Sequence, residues 1–119
     1  MGGRGSSGGG GGGGAKLPQL TGSEKQVSWA SDIRSKVFQH FDYLDRTFDD
    51  FAKRVPNDKN FAEDSLQYTK KDVATVRAQA TDIFKQVTSA SAIIDKRLAF
   101  TPSKMEELVK DNYRKRKKR

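Results

Sequence analysis

A chain of 119 residues is long enough for one domain at most, and its 34% hydrophobic content suits an elongated helical protein. The absence of cysteine excludes disulfide bonds and thiolate metal sites, and no signal peptide or apolar run of membrane-spanning length is present. The net charge of +8 comes mainly from Arg4 and from RKRKKR at residues 114–119, so residues 5–113 are nearly neutral. We therefore expect a cytoplasmic protein without a membrane anchor, whose basic character is confined to one segment.

Residues 1–19 form a glycine-rich leader. Ten of the eleven glycines lie in residues 1–14, and only Gly22 lies outside this run. Glycine loses more backbone entropy on ordering than any other residue, and a Gly/Ser segment has little apolar surface to bury in return. The sequence therefore predicts that this leader is disordered.

A helix start signal follows the leader. Thr21 and Glu24 have the T-x-x-E spacing of a capping box, in which the threonine caps the helix and the glutamate binds back to it. Apolar residues then recur every three or four positions from Val27 to Val55, without an intervening Gly or Pro. This period predicts one long first helix, whose second half follows a heptad repeat.

Two further helical patterns follow the turn at residues 56–58. The second pattern has its own apolar repeat, formed by Val73, Val76, Ala80, Ile83, Val87, Ala90 and Ile94. Residues 61–68 are either a short separate helix or the first turns of this one, because Asn60 and Thr69 both offer capping signals. Pro102 begins a third helix, whose apolar side consists of Met105, Leu108, Val109 and Tyr113.

These patterns predict an all-α fold. Two heptad repeats joined by a tight turn bury their apolar faces against each other, so we expect an antiparallel hairpin of two long helices. The short C-terminal helix would pack near the open end of that hairpin, giving a helical domain over residues 20–113 and a basic tail over residues 114–119. Apolar residues off the two repeats, such as Phe38 and Phe84, would either broaden this core or form an interface with a partner or a second copy, which leaves a homodimer open.

The first helix begins with a stretch that carries a family resemblance. LTGSEKQ at residues 20–26, followed by Trp29-Ala30 and Ile33-Arg34, resembles the pattern L-T-G-S-E-K-Q-x-x-W-A-x-x-I-R. That pattern is found in uncharacterised small proteins of phages and other mobile elements, mostly of Gram-positive bacteria. Residues 91–97, SAIIDKR, are similar to a second segment of these proteins, but Ile93 stands where they usually have an aromatic residue. The opening MGGRGSSGG is also similar to the openings of phage-encoded proteins from such hosts. Together the resemblances cover about a quarter of the chain and imply a genomic setting without an established activity.

The predicted hairpin would bring both motifs to its open end. Trp29 would then lie against residues 93–98, and Lys25 or Arg34 would face Asp95. Two interpretations remain open. Either these groups only lock the end of the hairpin together, or they form a partner-binding site, since Trp and Arg dominate binding hot spots. The residues of that site would be Lys25, Trp29, Arg34, Asp95 and Arg97.

No residue pattern points to catalysis. His40 is the only histidine, so a paired-imidazole site is excluded. The acidic pairs Asp49-Asp50, Glu63-Asp64 and Glu106-Glu107 each consist of sequence neighbours, which point in different directions on a helix. The glycine run lacks the strand–loop–helix context of a phosphate-binding loop. We therefore expect a protein without enzymatic activity, bound metal or cofactor.

The basic tail carries the first functional hypothesis. It consists of Arg114, Lys115, Arg116, Lys117, Lys118 and Arg119. Cations suit the negative end of a helix dipole, but six in succession exceed what dipole compensation needs. We therefore expect a tail that contacts phosphates without reading sequence. On this hypothesis the protein is an accessory of a phage or mobile element, and its partner is nucleic acid or a nucleoprotein complex.

A second hypothesis assigns the function to the helical body. Small size, the lack of catalytic groups and the mobile-element setting equally suit a protein-binding inhibitor of a host defence system, in the manner of anti-CRISPR proteins. Such an inhibitor can also use a basic tail to occupy a nucleic-acid channel, so the two hypotheses can merge. Either way, the expected place of action is the cytoplasm of a bacterial host cell.

Overall fold

The computed structural model of the chain describes residues 17–118 and is all-α over that range, as predicted. The predicted disorder of the leader concerns mainly residues 1–16, which lie outside the described part. Five α-helices follow one another: α1 Glu24–Arg54, α2 Phe61–Leu66, α3 Lys70–Gln86, α4 Ala90–Asp95 and α5 Pro102–Lys117. A 3₁₀ turn, Arg97–Phe100, connects α4 to α5.

Helices α1, α3 and α5 form an elongated three-helix bundle. The Tyr68 hydroxyl beside α3 donates to the Leu44 carbonyl, and Arg77 pairs with Asp42, so α1 and α3 are antiparallel as predicted. Helix α5 runs parallel to α1 and antiparallel to α3, because the Asn112 amide reaches Asp72 near the start of α3. The third helix is therefore a full wall of the bundle rather than a short addition at the open end of a hairpin.

The predicted second long helix is divided into α2, α3 and α4. Gln67 has a left-handed backbone with φ of 61° and ends α2. Thr69 then starts α3 with a capping box, in which the Asp72 carboxylate accepts hydrogen bonds from the Thr69 backbone and hydroxyl. Ser89 caps α4 through its side chain. Residues 61–68 are thus a separate short helix and its connection, because polar caps at each break stabilise new helix starts.

The core follows the predicted repeats with one shift in α3. Val73, Val76 and Ala80 are buried as expected, but Ile83 is 44% exposed and Phe84 is completely buried in its place. This shift arises because α3 packs against both α1 and α5. Its buried residues therefore follow the 3.6-residue helical period instead of a two-helix heptad repeat. The Phe84 ring lies 4.9 Å from that of Phe100 and 6.0 Å from that of Phe38.

The start of α1 is capped two residues later than predicted. Ser23 and Gln26, rather than Thr21 and Glu24, exchange the two hydrogen bonds of the capping box. Thr21 instead uses its backbone, which donates to Thr88 and accepts from Ala90. The intervening Gly22 has φ of +137°, a backbone conformation that glycine adopts readily. This lets the chain turn from the backbone hydrogen bonds of Thr21 into the helix.

The folded body begins before residue 20. Leu17 packs against the core, and the Pro18 carbonyl accepts a hydrogen bond from Arg34. The predicted disordered leader therefore does not extend through residues 17–19, because Leu17 and the buried Leu20 contribute apolar surface that the glycine run lacks. Within residues 17–118, no helix combines the length and apolar character needed to cross a membrane.

Candidate functional site

One end of the bundle carries the net positive charge of the described residues. We define this basic end as residues 46–72 and 110–118, which are the C-terminal parts of α1 and α5 together with α2 and the start of α3. It contains twelve Lys/Arg and seven Asp/Glu, whereas the other described residues contain eight of each. The charge asymmetry predicted for the sequence is therefore an asymmetry between the two ends of the folded body.

The basic run is largely helical, not a tail. Helix α5 continues through Lys117, so the helix has no break between residues 113 and 114. Arg114, Lys115, Arg116 and Lys117 form its last turn, where cations are favourable at the negative end of the helix dipole. Lys118 follows as the C-terminal cap, and Arg119 lies outside the described residues.

A buried aspartate holds this last turn on the body. The Asp72 side chain has no exposed surface and accepts from Nε and one terminal nitrogen of Arg116, at 3.1 and 2.9 Å. It also accepts from the Asn112 amide at 2.7 Å and from Thr69. We call Asp72, Thr69, Asn112 and Arg116 the Asp72 cluster. A planar guanidinium bound through two nitrogens gives this contact a fixed direction.

The Asp72 cluster stabilises the ionised carboxylate. Burial on its own would raise the pKa of Asp72, but the hydrogen bonds from Arg116, from Thr69 and from Asn112 outweigh it, so this pKa lies below its usual range. The same contact raises the pKa of Arg116. The carboxylate is therefore charged at neutral pH, and the charge is matched by the guanidinium.

Glu63 on α2 makes a second attachment. Its carboxylate lies 3.0 Å from Nζ of Lys117 and accepts a hydrogen bond from the Tyr113 hydroxyl at 3.1 Å. The hydrogen bond from Lys117 lowers the pKa of Glu63, and burial raises the pKa of Tyr113. Arg116 and Lys117 are thus occupied by acidic groups of the body itself.

The remaining described cations of the run face solvent. Arg114 is 55% exposed and pairs with Asp111 one turn earlier on the same helix. Lys115 and Lys118 are exposed and have no acidic partner within 4 Å among residues 17–118. We call Arg114, Lys115 and Lys118 the outward cations. Lys115 and Lys118 can meet phosphate oxygens without breaking an ion pair within residues 17–118, whereas Arg114 would have to leave Asp111.

The opposite end of the bundle brings the two sequence motifs together. The Arg97 guanidinium lies 5.4 Å from the centre of the Trp29 ring, which agrees with the predicted approach of Trp29 to residues 93–98. The expected ion pair is wrong, however. Arg34 binds the Pro18 carbonyl, while Lys25 and Asp95 are exposed and make no salt bridge within the described range. Trp29 is 50% exposed, and Leu98, which follows Arg97 in the sequence, is 74% exposed.

The sequence did not point to the Asp72 cluster as a unit. The capping signal at Thr69 is confirmed, with Asp72 as its partner, but the contacts of Asp72 to Asn112 and Arg116 were not predicted. One signal was present: Asp72 stands four residues before Val76 and therefore on the apolar face of α3. A carboxylate in that position requires a partner from another wall of the bundle.

The described residues contain no group of three or more side chains suited to hold a metal ion. No family model, curated protein or solved structure matches the chain.

Proposed function

We propose that this protein is a non-enzymatic, nucleic acid–binding accessory of a phage or mobile element, and that it binds phosphates through the basic end. The observation that carries this proposal is the set of outward cations, displayed on the last turns of a docked helix. The other end of the body is charge-balanced. Contact with phosphates is independent of sequence, so the proposal includes no base-specific readout.

The proposal assigns binding to the helix end rather than to a flexible tail. Arg116 and Lys117 already have carboxylate partners, so within the described part of the basic run the outward cations supply most of the charge available to a polyanion. Each phosphate neutralised contributes about −0.7 to −0.9 to the log–log slope of affinity against salt. Two lysines of the outward set therefore account for roughly −1.4 to −1.8 of the total slope.

Fluorescence anisotropy with a labelled oligonucleotide tests this assignment. The double variant Lys115→Ala/Lys118→Ala should bind more weakly, and its salt slope should be shallower by about 1.5. The matched control is Lys25→Ala/Lys96→Ala, which removes the same charge from exposed positions at the opposite end. Equal losses of affinity in both variants would show that only the net charge of the protein matters, not the basic end. Absence of binding by the parent chain would reject the proposal.

A second candidate is favoured by the exposure of Trp29. A tryptophan that only locks the bundle would be buried, whereas this ring is half exposed beside Arg97. Trp and Arg are enriched in binding hot spots. This end therefore supports the alternative of a protein-binding inhibitor of a host defence system.

Pull-down from a nuclease-treated bacterial lysate separates the two candidates. An inhibitor should retain a stoichiometric protein partner after nuclease treatment. Trp29→Ala should lose that partner, while Lys115→Ala/Lys118→Ala should keep it. If every bound protein disappears with the nuclease, the nucleic-acid function alone stands.

A further inference from the structure

A small cleft lies between α1, α2 and α5, next to the basic end. Its volume is about 180 Å³, and its walls include Tyr43, Thr47, Ser65, Leu66, Glu106 and Lys110. The cleft thus combines an aromatic ring, an aliphatic wall, two hydroxyl groups and two charged groups.

Tyr43 is an aromatic residue of the cleft, and His40 packs against its ring. Its ring is stacked on that of His40, with 5.5 Å between the ring centres and 21° between the planes. His40 is itself held by Glu106, whose carboxylate oxygen lies 3.2 Å from Nε2. Tyr43 nevertheless remains 50% exposed. His40 therefore holds the Tyr43 ring in place, and the exposed part of the ring can contact a ligand.

The charges around the cleft suit a ligand with a phosphate backbone. Glu106 is matched by Lys110 at 3.3 Å, so it does not leave an isolated negative charge. Arg114 follows Lys110 one turn later on α5, and Lys118 one turn after that. A line of cations therefore runs from the cleft to the outward cations over roughly 12 Å, at 1.5 Å per residue. Lys110 and Arg114 in this line also pair with Glu106 and Asp111, so Lys118 is its one member without an acidic partner within 4 Å among residues 17–118.

We infer that this cleft binds one unpaired base of a single-stranded nucleic acid, stacked on Tyr43, while the adjoining phosphates follow α5 from Lys110 to the outward cations. A ring in a cleft can stack only on a base that is not enclosed in a duplex. Stacking tolerates any base, because every base has an aromatic face. This inference rests on the proposed nucleic-acid function and adds to it the strand state of the ligand.

Two labelled probes separate stacking from charge: an oligothymidylate, and an abasic deoxyribose-phosphate chain of equal length. The parent chain should bind the oligothymidylate more tightly. Tyr43→Ala should weaken that complex by about 5- to 100-fold, as loss of one stacked base does. It should leave affinity for the abasic chain and both salt slopes unchanged. Tyr43→Phe keeps the ring and should retain the parent affinity.

Trp29→Ala is the matched control, because that ring is equally exposed but lies at the other end of the bundle. It should not alter the preference for the oligothymidylate. Circular dichroism of each variant confirms that the fold is retained. The inference is overturned if the parent chain binds both probes equally, if Tyr43→Ala weakens both alike, or if Tyr43→Phe loses as much as Tyr43→Ala. Failure of the parent chain to bind either probe rejects the proposed function itself.

Discussion

Arg116 binds Asp72 through two nitrogens, and the two residues stand 44 positions apart on different walls of the bundle. The carboxylate is completely buried, whereas the guanidinium is one-third exposed. A basic run that resembles a solvated tail in the sequence is therefore part of the structural frame. Stability and polyanion binding are therefore separable by mutation, because Arg116 stabilises the fold and the outward cations are proposed to bind the polyanion.

Removal of residues 114–119 should destabilise the fold. The truncated chain lacks Arg116, which leaves the buried Asp72 carboxylate with fewer partners, and it lacks the Lys117 contact to Glu63. Loss of one partner of a buried pair costs about 3–5 kcal/mol, and the partial exposure of Arg116 reduces this to about 2–4 kcal/mol. Urea unfolding measures the loss.

A chain ending at Lys117 is the control for this truncation. It removes only residues 118 and 119 and keeps both contacts to the body. It should unfold like the parent while binding polyanions more weakly. Equal stability of the two truncated chains would contradict the structural role of Arg116.

Acid should weaken the fold through Asp72. The pKa of this carboxyl is lowered in the folded state, so its contribution is fully present above the unfolded pKa of about 3.9 and is lost as pH falls through the folded value. Glu63 has a lowered pKa as well and acts in the same direction. Asp72→Asn should therefore reduce stability at neutral pH by about 1–3 kcal/mol.

The pH dependence of that variant is the sharper measurement. Urea unfolding of the parent should show stability declining below about pH 4, and Asp72→Asn should show a smaller decline. Asp95→Asn is the control, because that carboxylate is exposed and lies at the opposite end. A decline as steep in Asp72→Asn as in the parent would assign the acid sensitivity to other groups.

Adjacent residues on α3 should differ sharply in their effect on stability. Phe84 is completely buried between the rings of Phe38 and Phe100, so Phe84→Ala should cost about 3–5 kcal/mol. Ile83 is 44% exposed, and Ile83→Ala should cost about 1 kcal/mol or less. Thermal circular dichroism distinguishes them. Similar losses at both positions would indicate that α3 is rotated relative to the bundle.

The two candidate caps of α1 give a further matched pair. Ser23 accepts from the Gln26 backbone through its side chain, so Ser23→Ala should cost about 0.5–2 kcal/mol. Thr21 makes its main contacts through backbone atoms, which Thr21→Ala retains. Urea unfolding should show the larger loss for Ser23→Ala, and the reverse order would restore Thr21 as the cap.

Helix periods in the sequence predicted the fold class, the long first helix and the antiparallel pair, because the burial of an apolar stripe is a local property of each segment. Two features depended on contacts between segments and were misjudged. The exposed Ile83 and buried Phe84 follow from packing against α5. The basic run is helical and docked because Asp72, which is distant in sequence, binds Arg116.

The placement of α5 also has a consequence for biosynthesis. Residues 24–86 supply two walls of the bundle, but the partners of Asp72 on the third wall, Asn112 and Arg116, are synthesised about forty residues later. Until α5 docks, the α1–α3 pair carries an unmatched carboxylate and an uncovered apolar face, and exposed apolar surface of this kind makes a partly folded chain prone to aggregate or to attract chaperones. Because α5 supplies both the partners of Asp72 and the cover of that face, its docking removes both defects together.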